Sequence, residues 1–388
     1  MLTAVLAAED VSLTDLAITD VYSRPGAETS VRVAALTSAG ARDLVVTDAP
    51  LEASARVVRA VSEGSAYAVW LHPFDPELPD LARALDTDWL SSVLGLRVDH
   101  AELIVYRPLR RAVVRVTGEA ECYLKVVRPS RAHLVTDAMT AMGPAAPKFV
   151  QLGPGLIASL VASGLPLINL VASPAVTARD VDAVVSEALS CLPDAVAALP
   201  KKPSWVERRD VYARHALERG LDAAHVSAVM DADYGETAQD EATHGDLHLT
   251  NVRFLPGEDG PRFASFIDVD SAGPGAQADD VACMVAHIAA LEALDPAAYG
   301  HTAVLADELA DVWAPRAPGL RARAAAVLLT LASTHHSEAI ARRWLATAAA
   351  LAAGNVAAGN VRELSHTSPR GLREALKTLG VEPNGSSL

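Results

Sequence analysis

One stretch decides the fold of this chain: Thr243-His244-Gly245-Asp246-Leu247-His248-Leu249-Thr250-Asn251-Val252, followed shortly by Phe266-Ile267-Asp268-Val269-Asp270. The first segment places a carboxylate five residues before a carboxamide, and the second places another carboxylate at the end of an apolar run. Mg²⁺ prefers oxygen ligands and usually takes only one or two carboxylates from a protein. A further carboxylate can orient and deprotonate a hydroxyl, so the two segments together contain the parts that phosphoryl transfer from a nucleotide requires.

The residues between the two segments predict how they come together. Residues 252–255 and 263–267 have the composition of two strands, and Pro256-Gly257-Glu258-Asp259-Gly260-Pro261 has that of a turn. A hairpin of this kind brings Asn251 and Asp268 side by side. The alternative is structural: His-Gly-Asp is also an ordinary turn sequence, and Ile-Asp-Val-Asp is also a strand end with solvated carboxylates.

The spaced motifs His-Gly-Asp-x-x-x-x-Asn, Ile-Asp-x-Asp and Asp-Val-Ala resemble the aminoglycoside phosphotransferase and choline kinase group. That group has a two-lobed protein-kinase-like fold, so the resemblance implies an α+β chain that uses ATP and Mg²⁺. It also implies that Asp246 is the catalytic base. The metal ligands would be Asn251, Asp268 and Asp270, and His244 and Asp280 would support the loop.

Residues 1–97 precede the minimal kinase-like fold and are predicted to form a β-rich N-terminal cap. Residues 11–21, 29–36 and 42–46 alternate apolar and polar side chains, which indicates a three-stranded meander. Residues 51–61 have helical spacing, and two short helices are predicted over residues 78–85 and 88–94. In this layout the chain is similar to bacterial maltokinases and the related glucosamine kinases.

Residues 98–165 are predicted to be the nucleotide lobe. Lys125 lies within a predicted strand and matches the phosphate-anchoring lysine of the group, although an edge-strand lysine that points to water is the alternative. The expected glycine-rich loop is missing, and Arg110 and Arg111 stand there as phosphate contacts or as surface residues. The helix after the lysine strand has no glutamate, and Asp137 is its only carboxylate, so Asp137 is the candidate partner of Lys125 in its place. The hinge, and with it the adenine contacts of Leu160 and Ala162, is predicted from position alone.

Residues 166–388 are predicted to form a helical lobe that carries the catalytic loop and the acceptor site. The short segment after the metal motif, residues 271–277, favours a small-molecule acceptor over a polypeptide. Candidate acceptor contacts are Asp246, His248, Glu338 and Trp344. For Glu338 the alternative is an ion pair with Arg342 four residues later on a helix.

Composition excludes several classes of partner. A net charge of −15 over 388 residues argues against nucleic acid and against an anionic membrane. The three cysteines lack metal-site spacing and fit a reducing, cytoplasmic compartment. The first ten residues lack the basic segment of a signal peptide. Nothing in the sequence predicts the oligomeric state.

The sequence therefore predicts an ATP- and Mg²⁺-dependent kinase of a small sugar or amino sugar, with glucosamine as the preferred acceptor and glucosamine 6-phosphate as its product. An aminoglycoside phosphotransferase is the nearest alternative, followed by a kinase of maltose, fructosamine or a choline-type acceptor. An alternative of another class is a catalytically dead kinase-like protein that binds nucleotide.

Overall fold

The computed structural model describes residues 12–23, 26–54 and 56–354, and these form two compact units. The first unit comprises residues 12–136 and 148–161 of the described chain, and the second comprises residues 137–147 and 162–354. The chain passes between them at 161–162, within the predicted hinge. The sequence also predicts a last helix over residues 370–379, which lies outside the described residues. Among the described helices, none has the length and apolarity that a membrane crossing requires.

The first unit begins with a five-stranded antiparallel sheet in the order β1-β2-β3-β5-β4. Its strands are β1 Leu13–Tyr22, β2 Ser30–Thr37, β3 Gly40–Thr47, β4 Val58–Ser62 and β5 Ser65–Leu71. The predicted meander is confirmed by β1–β3. The predicted helix over residues 51–61 is wrong, because β4 and β5 form a hairpin whose turn has Glu63 and Gly64 at positive φ, 51° and 81°.

A second five-stranded antiparallel sheet follows, in the order β6-β7-β8-β10-β9. Two helices precede it, α1 Leu81–Ala84 and α2 Thr87–Leu94, and a third, α3 Ala132–Met142, lies between its third and fourth strands in the chain. The strands are β6 Val98–Arg107, β7 Arg111–Gly118, β8 Cys122–Val127, β9 Phe149–Gln151 and β10 Leu156–Leu160. β8 therefore lies in the middle of the sheet, between β7 and β10.

The predicted cap and nucleotide lobe share one apolar core in the first unit. Buried side chains from both segments form it, among them Trp70, Leu78, Leu81, Leu90, Val114, Leu124, Val126 and Leu156. The buried Asp75 carboxylate adds a polar link, because it accepts hydrogen bonds from the Tyr106 hydroxyl (2.7 Å) and the Leu109 amide (2.8 Å). Residues before and after position 97 are thus packed together, and the functional division at 97 stays a prediction.

The second unit contains two small antiparallel sheets. One has the order β11-β13-β14 and the other pairs β12 with β15. Their strands are β11 Leu165–Pro166, β12 Glu241–Thr243, β13 Val252–Leu255, β14 Arg262–Phe266 and β15 Gly273–Gly275. The predicted hairpin is present, with Val252 opposite Phe266.

Helices make up the rest of the second unit. They are α4 Leu167–Val171, α5 Ala178–Ser190, α6 Arg209–Glu218, α7 Ala223–Met230, α8 Gln277–Leu294, α9 Pro296–Tyr299, α10 Thr302–Trp313, α11 Leu320–Thr334 and α12 Glu338–Ala352. α8 is buried along most of its length and packs against α10 and α11. The apolar core of this unit runs from α8 to the catalytic hairpin, since Leu247, Val252 and Phe266 belong to it. The predicted α+β fold class is confirmed.

Candidate active site

The predicted catalytic loop of the second unit begins at two backbone amides that donate hydrogen bonds to a buried carboxylate. The amides of His244 and Gly245 donate to the two oxygens of Asp280, at 2.7 and 2.8 Å, and Asp280 lies in the first turn of α8. Burial raises the pKa of Asp280 to about 7, although these two hydrogen bonds oppose the shift. The carboxyl group of α8 thus fixes the turn that leads to Asp246.

Gly245 is required at this turn for two reasons. Its φ of +76° is a conformation that L side chains rarely adopt. A Cβ at this position would also lie 2.3 Å from the carbonyl oxygen of Ser271. Ser271 ends the 3₁₀ turn Val269–Ser271 that directly follows Asp268. The glycine therefore allows the catalytic turn and the metal-motif turn to touch.

The His244 ring connects the catalytic loop to the strand that leads to Asp268. Its Nε2–H donates to the carbonyl oxygen of Ile267 at 3.0 Å, and the ring packs against Phe266 with centroids 5.3 Å apart. The side chain is completely buried, and burial lowers the pKa of His244. A neutral imidazole here serves as a hydrogen-bond donor to backbone.

The Asn251 side chain is held so that its oxygen is left for another partner. Its amide nitrogen donates to the backbone carbonyl of Asp246 and to Nε2 of His248, both at 3.0 Å. An amide NH₂ has two donors, and these two bonds use both of them. The Ile267 amide donates to the Asn251 carbonyl at 2.9 Å, so the hairpin sets Asn251 beside the segment that contains Asp268.

Asp268 directly follows this pairing and has an unusual backbone conformation. Its φ of 52° and ψ of 49° are left-handed, which few residues other than glycine adopt without support from their surroundings. Asp270 lies in the short turn that follows. Two carboxylates and one amide oxygen are a suitable donor set for Mg²⁺, which completes its coordination with water and phosphate oxygens. Within residues 12–354 as described, no group of three or more His, Cys, Asp and Glu side chains is arranged to hold a metal ion unaided.

The Asp246 carboxylate has a partner that the sequence did not reveal. The indole Nε1–H of Trp205 donates to its Oδ1 at 2.9 Å. The side chain of Asp246 is 24% exposed, so the group is reachable from solvent. Trp205 lies 41 residues before Asp246 in the chain, and neither periodicity nor a motif links the two positions.

Lys202 belongs to the same segment and contacts the metal motif. Its ammonium group donates to the backbone carbonyls of Asp270 at 2.7 Å and of Ala272 at 3.4 Å. Burial lowers the pKa of Lys202, and the nearby Asp270 opposes this shift. The segment 202–205 therefore contacts both Asp246 and the turn that contains Asp270.

His248 is not available as an acceptor contact, which corrects the prediction from the sequence. One ring nitrogen accepts the Asn251 hydrogen bond, and Nδ1 lies 3.1 Å from the hydroxyl of Thr250. The ring stacks on that of His287 with centroids 4.6 Å apart, and burial lowers the pKa of His248 to about 4. Because both nitrogens are occupied, His248 orients Asn251 instead.

Trp344 and Glu338 also depart from the predicted acceptor pocket. Trp344 lies on α12 and is completely buried, and its indole N–H donates to the Ala290 carbonyl at 2.8 Å. It has no exposed face for a sugar ring. Glu338 pairs with Arg342 at 2.5 Å while both side chains are about two-thirds exposed (66% and 65%), as the alternative interpretation expected.

Most of the predicted nucleotide contacts lie in the first unit, and only Ala162 among them belongs to the second. Lys125 is partly buried on β8, where Val113 and Ile157 are its neighbours across the sheet. The edge-strand alternative for Lys125 is wrong, since β8 is internal. Arg110 is the last residue of the β6–β7 turn and Arg111 begins β7. Leu160 ends β10, and Ala162 lies just beyond it. Asp137 is exposed on α3. Their roles toward a nucleotide stay predictions.

Comparison with known proteins gives similarity to solved structures alone. No protein-family model and no curated protein matches the sequence. A macrolide 2′-phosphotransferase of Brachybacterium faecium has 20% identity and a TM-score of 0.39, over 74% of this chain and 99% of its own. An aminoglycoside phosphotransferase has 16% identity and a TM-score of 0.42, over 70% and 99%. An ethanolamine kinase of Plasmodium vivax has 12% identity and a TM-score of 0.37, over 79% and 88%.

These three proteins are small-molecule phosphotransferases, the kind of protein that the sequence motifs resemble. None of the three is a maltokinase or a glucosamine kinase. With TM-scores below 0.5 and identities of 12–20%, the likeness by itself does not assign a function. A functional assignment therefore depends on the side chains of the second unit.

Proposed function

We propose that this chain is an ATP- and Mg²⁺-dependent kinase that transfers the γ-phosphoryl group to a hydroxyl of a small molecule. One observation carries the proposal: the amide of Asn251 is bonded to the Asp246 carbonyl and to His248. Its side-chain oxygen takes part in neither of these bonds, and the Ile267 amide, which donates to the Asn251 backbone carbonyl at 2.9 Å, sets Asn251 beside the segment that contains Asp268. A structural turn has no need of such an arrangement, whereas a metal site next to a base does.

In this proposal Asp246 acts as the base. Its Oδ1 is engaged by Trp205, and the other oxygen accepts the proton of the acceptor hydroxyl as that hydroxyl attacks the γ-phosphorus. The loop fixes Asp246 from both sides, through Asp280 before it and Asn251 after it. This positioning is the main contribution of a protein to phosphoryl transfer.

Asn251, Asp268 and Asp270 would hold Mg²⁺, which when bound offsets the negative charge of the phosphate oxygens. We assign Lys125 of the first unit, and with it Arg110 and Arg111, to the phosphates of ATP. We assign the backbone of Leu160 and Ala162 to adenine. Lys125 lies on an internal strand, where its position is fixed by pairing on both sides.

For the acceptor we propose an amino sugar, with glucosamine first and aminoglycosides second. The acidic chain, with a net charge of −15, favours an amine-bearing acceptor over an anionic one. The order of β-rich and helical segments in residues 1–97 is similar to that of the glucosamine kinases, which favours glucosamine as the acceptor. Maltose and fructosamine are the next candidates, and a cytoplasmic location fits the sparse cysteines.

The experiment is an ADP-release assay on the purified protein with MgATP and single acceptors: glucosamine, maltose, fructosamine, choline and several aminoglycosides. We expect turnover with one class and its loss when EDTA removes the metal. Asp246→Asn is expected to abolish transfer and to keep ATP affinity nearly unchanged. Asp182→Asn is the matched control, because Asp182 also accepts an indole hydrogen bond, from Trp313 at 2.7 Å, away from the loop.

Two results would contradict the proposal. If Asp246→Asn keeps most of the transfer activity, the assigned base is wrong. If the wild-type protein binds ATP but phosphorylates none of the acceptors, the chain is a kinase-like nucleotide-binding protein without catalysis.

A further inference from the structure

The Asp246 carboxylate has one oxygen fixed and one oxygen without a close partner among the described residues. Trp205 donates to Oδ1 at 2.9 Å, while Oδ2 lies 3.9 Å from Nε2 of His248, which is beyond hydrogen-bonding distance. A carboxylate bound at one oxygen cannot rotate about its last bond without losing that contact. The second oxygen therefore keeps a defined direction.

The Trp205 indole is itself held in place. The Arg208 guanidinium lies over its ring, 4.1 Å from the centroid, and the Arg208 Nε–H donates to the Ser204 carbonyl at 3.2 Å. Two hydrogen bonds between Ser204 and Glu207 close the turn that contains Trp205. The Ser204 amide donates to the Glu207 carboxylate at 2.7 Å, and the Glu207 amide donates to the Ser204 hydroxyl at 3.1 Å.

The same turn is anchored to the metal motif. Lys202 donates to the Asp270 carbonyl at 2.7 Å, three residues before Trp205 in the chain. One short segment thus contacts both the base and the backbone that presents the metal ligands. A shift of this segment would change the direction of the Asp246 carboxylate relative to Asp268.

We propose that Trp205 is a positioning residue for phosphoryl transfer: its indole N–H orients the Asp246 carboxylate so that Oδ2 faces the acceptor hydroxyl, and Arg208 holds the indole in that orientation. This inference rests on the proposed function. It adds a residue that the catalytic motif does not include, and it predicts an effect on the rate of transfer that is separate from substrate binding.

The test compares Trp205→Phe with Trp313→Phe. Both variants keep an aromatic ring and lose an indole-to-carboxylate hydrogen bond, at 2.9 Å to Asp246 and at 2.7 Å to Asp182. We expect Trp205→Phe to lower kcat roughly 10- to 100-fold, as a misplaced catalytic group does. The KM values for ATP and acceptor should stay within about threefold of wild type, since the variant removes no contact that binds the substrates in their ground state. Trp313→Phe should keep kcat.

Arg208→Leu is a second variant that keeps the indole N–H. It should lower kcat less than Trp205→Phe does, and melting temperatures should confirm that each variant is folded. A Trp205→Phe protein with wild-type kcat, next to an inactive Asp246→Asn protein, would overturn the positioning role and leave the kinase assignment intact. An equal loss of kcat in Trp205→Phe and Trp313→Phe would also overturn it. Absence of turnover by the wild-type protein with every acceptor would overturn the kinase assignment and this inference together.

Discussion

Replacing Gly245 by alanine tests whether the contact between the catalytic turn and the metal-motif turn is needed for activity. The added Cβ would lie 2.3 Å from the Ser271 carbonyl oxygen and 2.9 Å from the Ser271 carbonyl carbon. Both are backbone atoms, so no side-chain rotation relieves the contact. An ordinary van der Waals contact begins at 3.4 Å. The two turns must therefore separate by about 1 Å, a displacement that can lower activity roughly 100-fold.

The left-handed backbone conformation of Gly245 adds a separate cost in folding free energy when alanine replaces it. An L residue in this conformation costs about 1–2 kcal/mol relative to glycine. Gly220→Ala measures this conformational cost alone. Gly220 has a φ of +74°, close to the +76° of Gly245, and no heavy atom lies within 4 Å of its ideal Cβ. Gly220 follows the end of α6, away from the catalytic loop.

Urea unfolding and the ADP-release assay would measure both effects. Gly220→Ala should lose about 1–2 kcal/mol of unfolding free energy and keep wild-type kcat. Gly245→Ala should lose more stability and about 100-fold in kcat, since the base and the metal ligands are moved apart. Equal stability and equal activity of the two variants would refute the steric reasoning, and a fully active Gly245→Ala protein would show that the spacing of the two turns is irrelevant to transfer.

Two further predictions concern residues outside the loop. Trp344→Ala should destabilise the protein by about 3–5 kcal/mol and leave the acceptor KM unchanged, because Trp344 is completely buried; an altered KM with unchanged unfolding would contradict this. Burial, with Arg32 as a second cause, lowers the pKa of His72 from 6.5 to about 4, so the folded state favours the neutral ring. The stability that this gives is fully present above pH 6.5 and is lost as the pH falls through about 4. His72→Phe should therefore gain stability relative to wild type between pH 7.5 and pH 5 in urea unfolding, and a parallel pH dependence of the two proteins would rule this out.

The parts of the fold that could be predicted from the sequence are those set by short-range patterns. Apolar spacing at three and four residues predicts helices over residues 223–230 and 302–313, and the structure has the helices Ala223–Met230 and Thr302–Trp313. The catalytic hairpin was also predictable, because its turn residues lie between two apolar runs. The hairpin therefore brings Asn251 and Asp268 together through residues that are near each other in the chain.

Other features depend on contacts that spacing does not encode. Residues 58–62 have apolar side chains at positions that suit a helix as well as a strand, and the turn at Glu63 and Gly64 decides for a hairpin with β5. Trp344 stands among polar residues in the sequence, which suggested a pocket, yet it belongs to the apolar side of α12 and is buried. The pairing of Trp205 with Asp246 is a tertiary contact across 41 residues.

Two sequence features favour a catalytically dead protein: the missing glutamate in the helix after the lysine strand and the missing glycine-rich loop. For the missing loop, the first unit supplies a physical reason to set the objection aside. Leu109 occupies the β6–β7 turn at a φ of 62°, the conformation for which glycine is usually needed. Asp75 accepts the Leu109 amide, Arg128 donates to the Leu109 carbonyl, and the Leu109 side chain is 2% exposed. Tertiary contacts therefore fix a turn that glycine would leave flexible. Under the proposed function, a turn fixed in this way presents Arg110 and Arg111 to phosphates without the ordering entropy that a glycine loop must lose on binding.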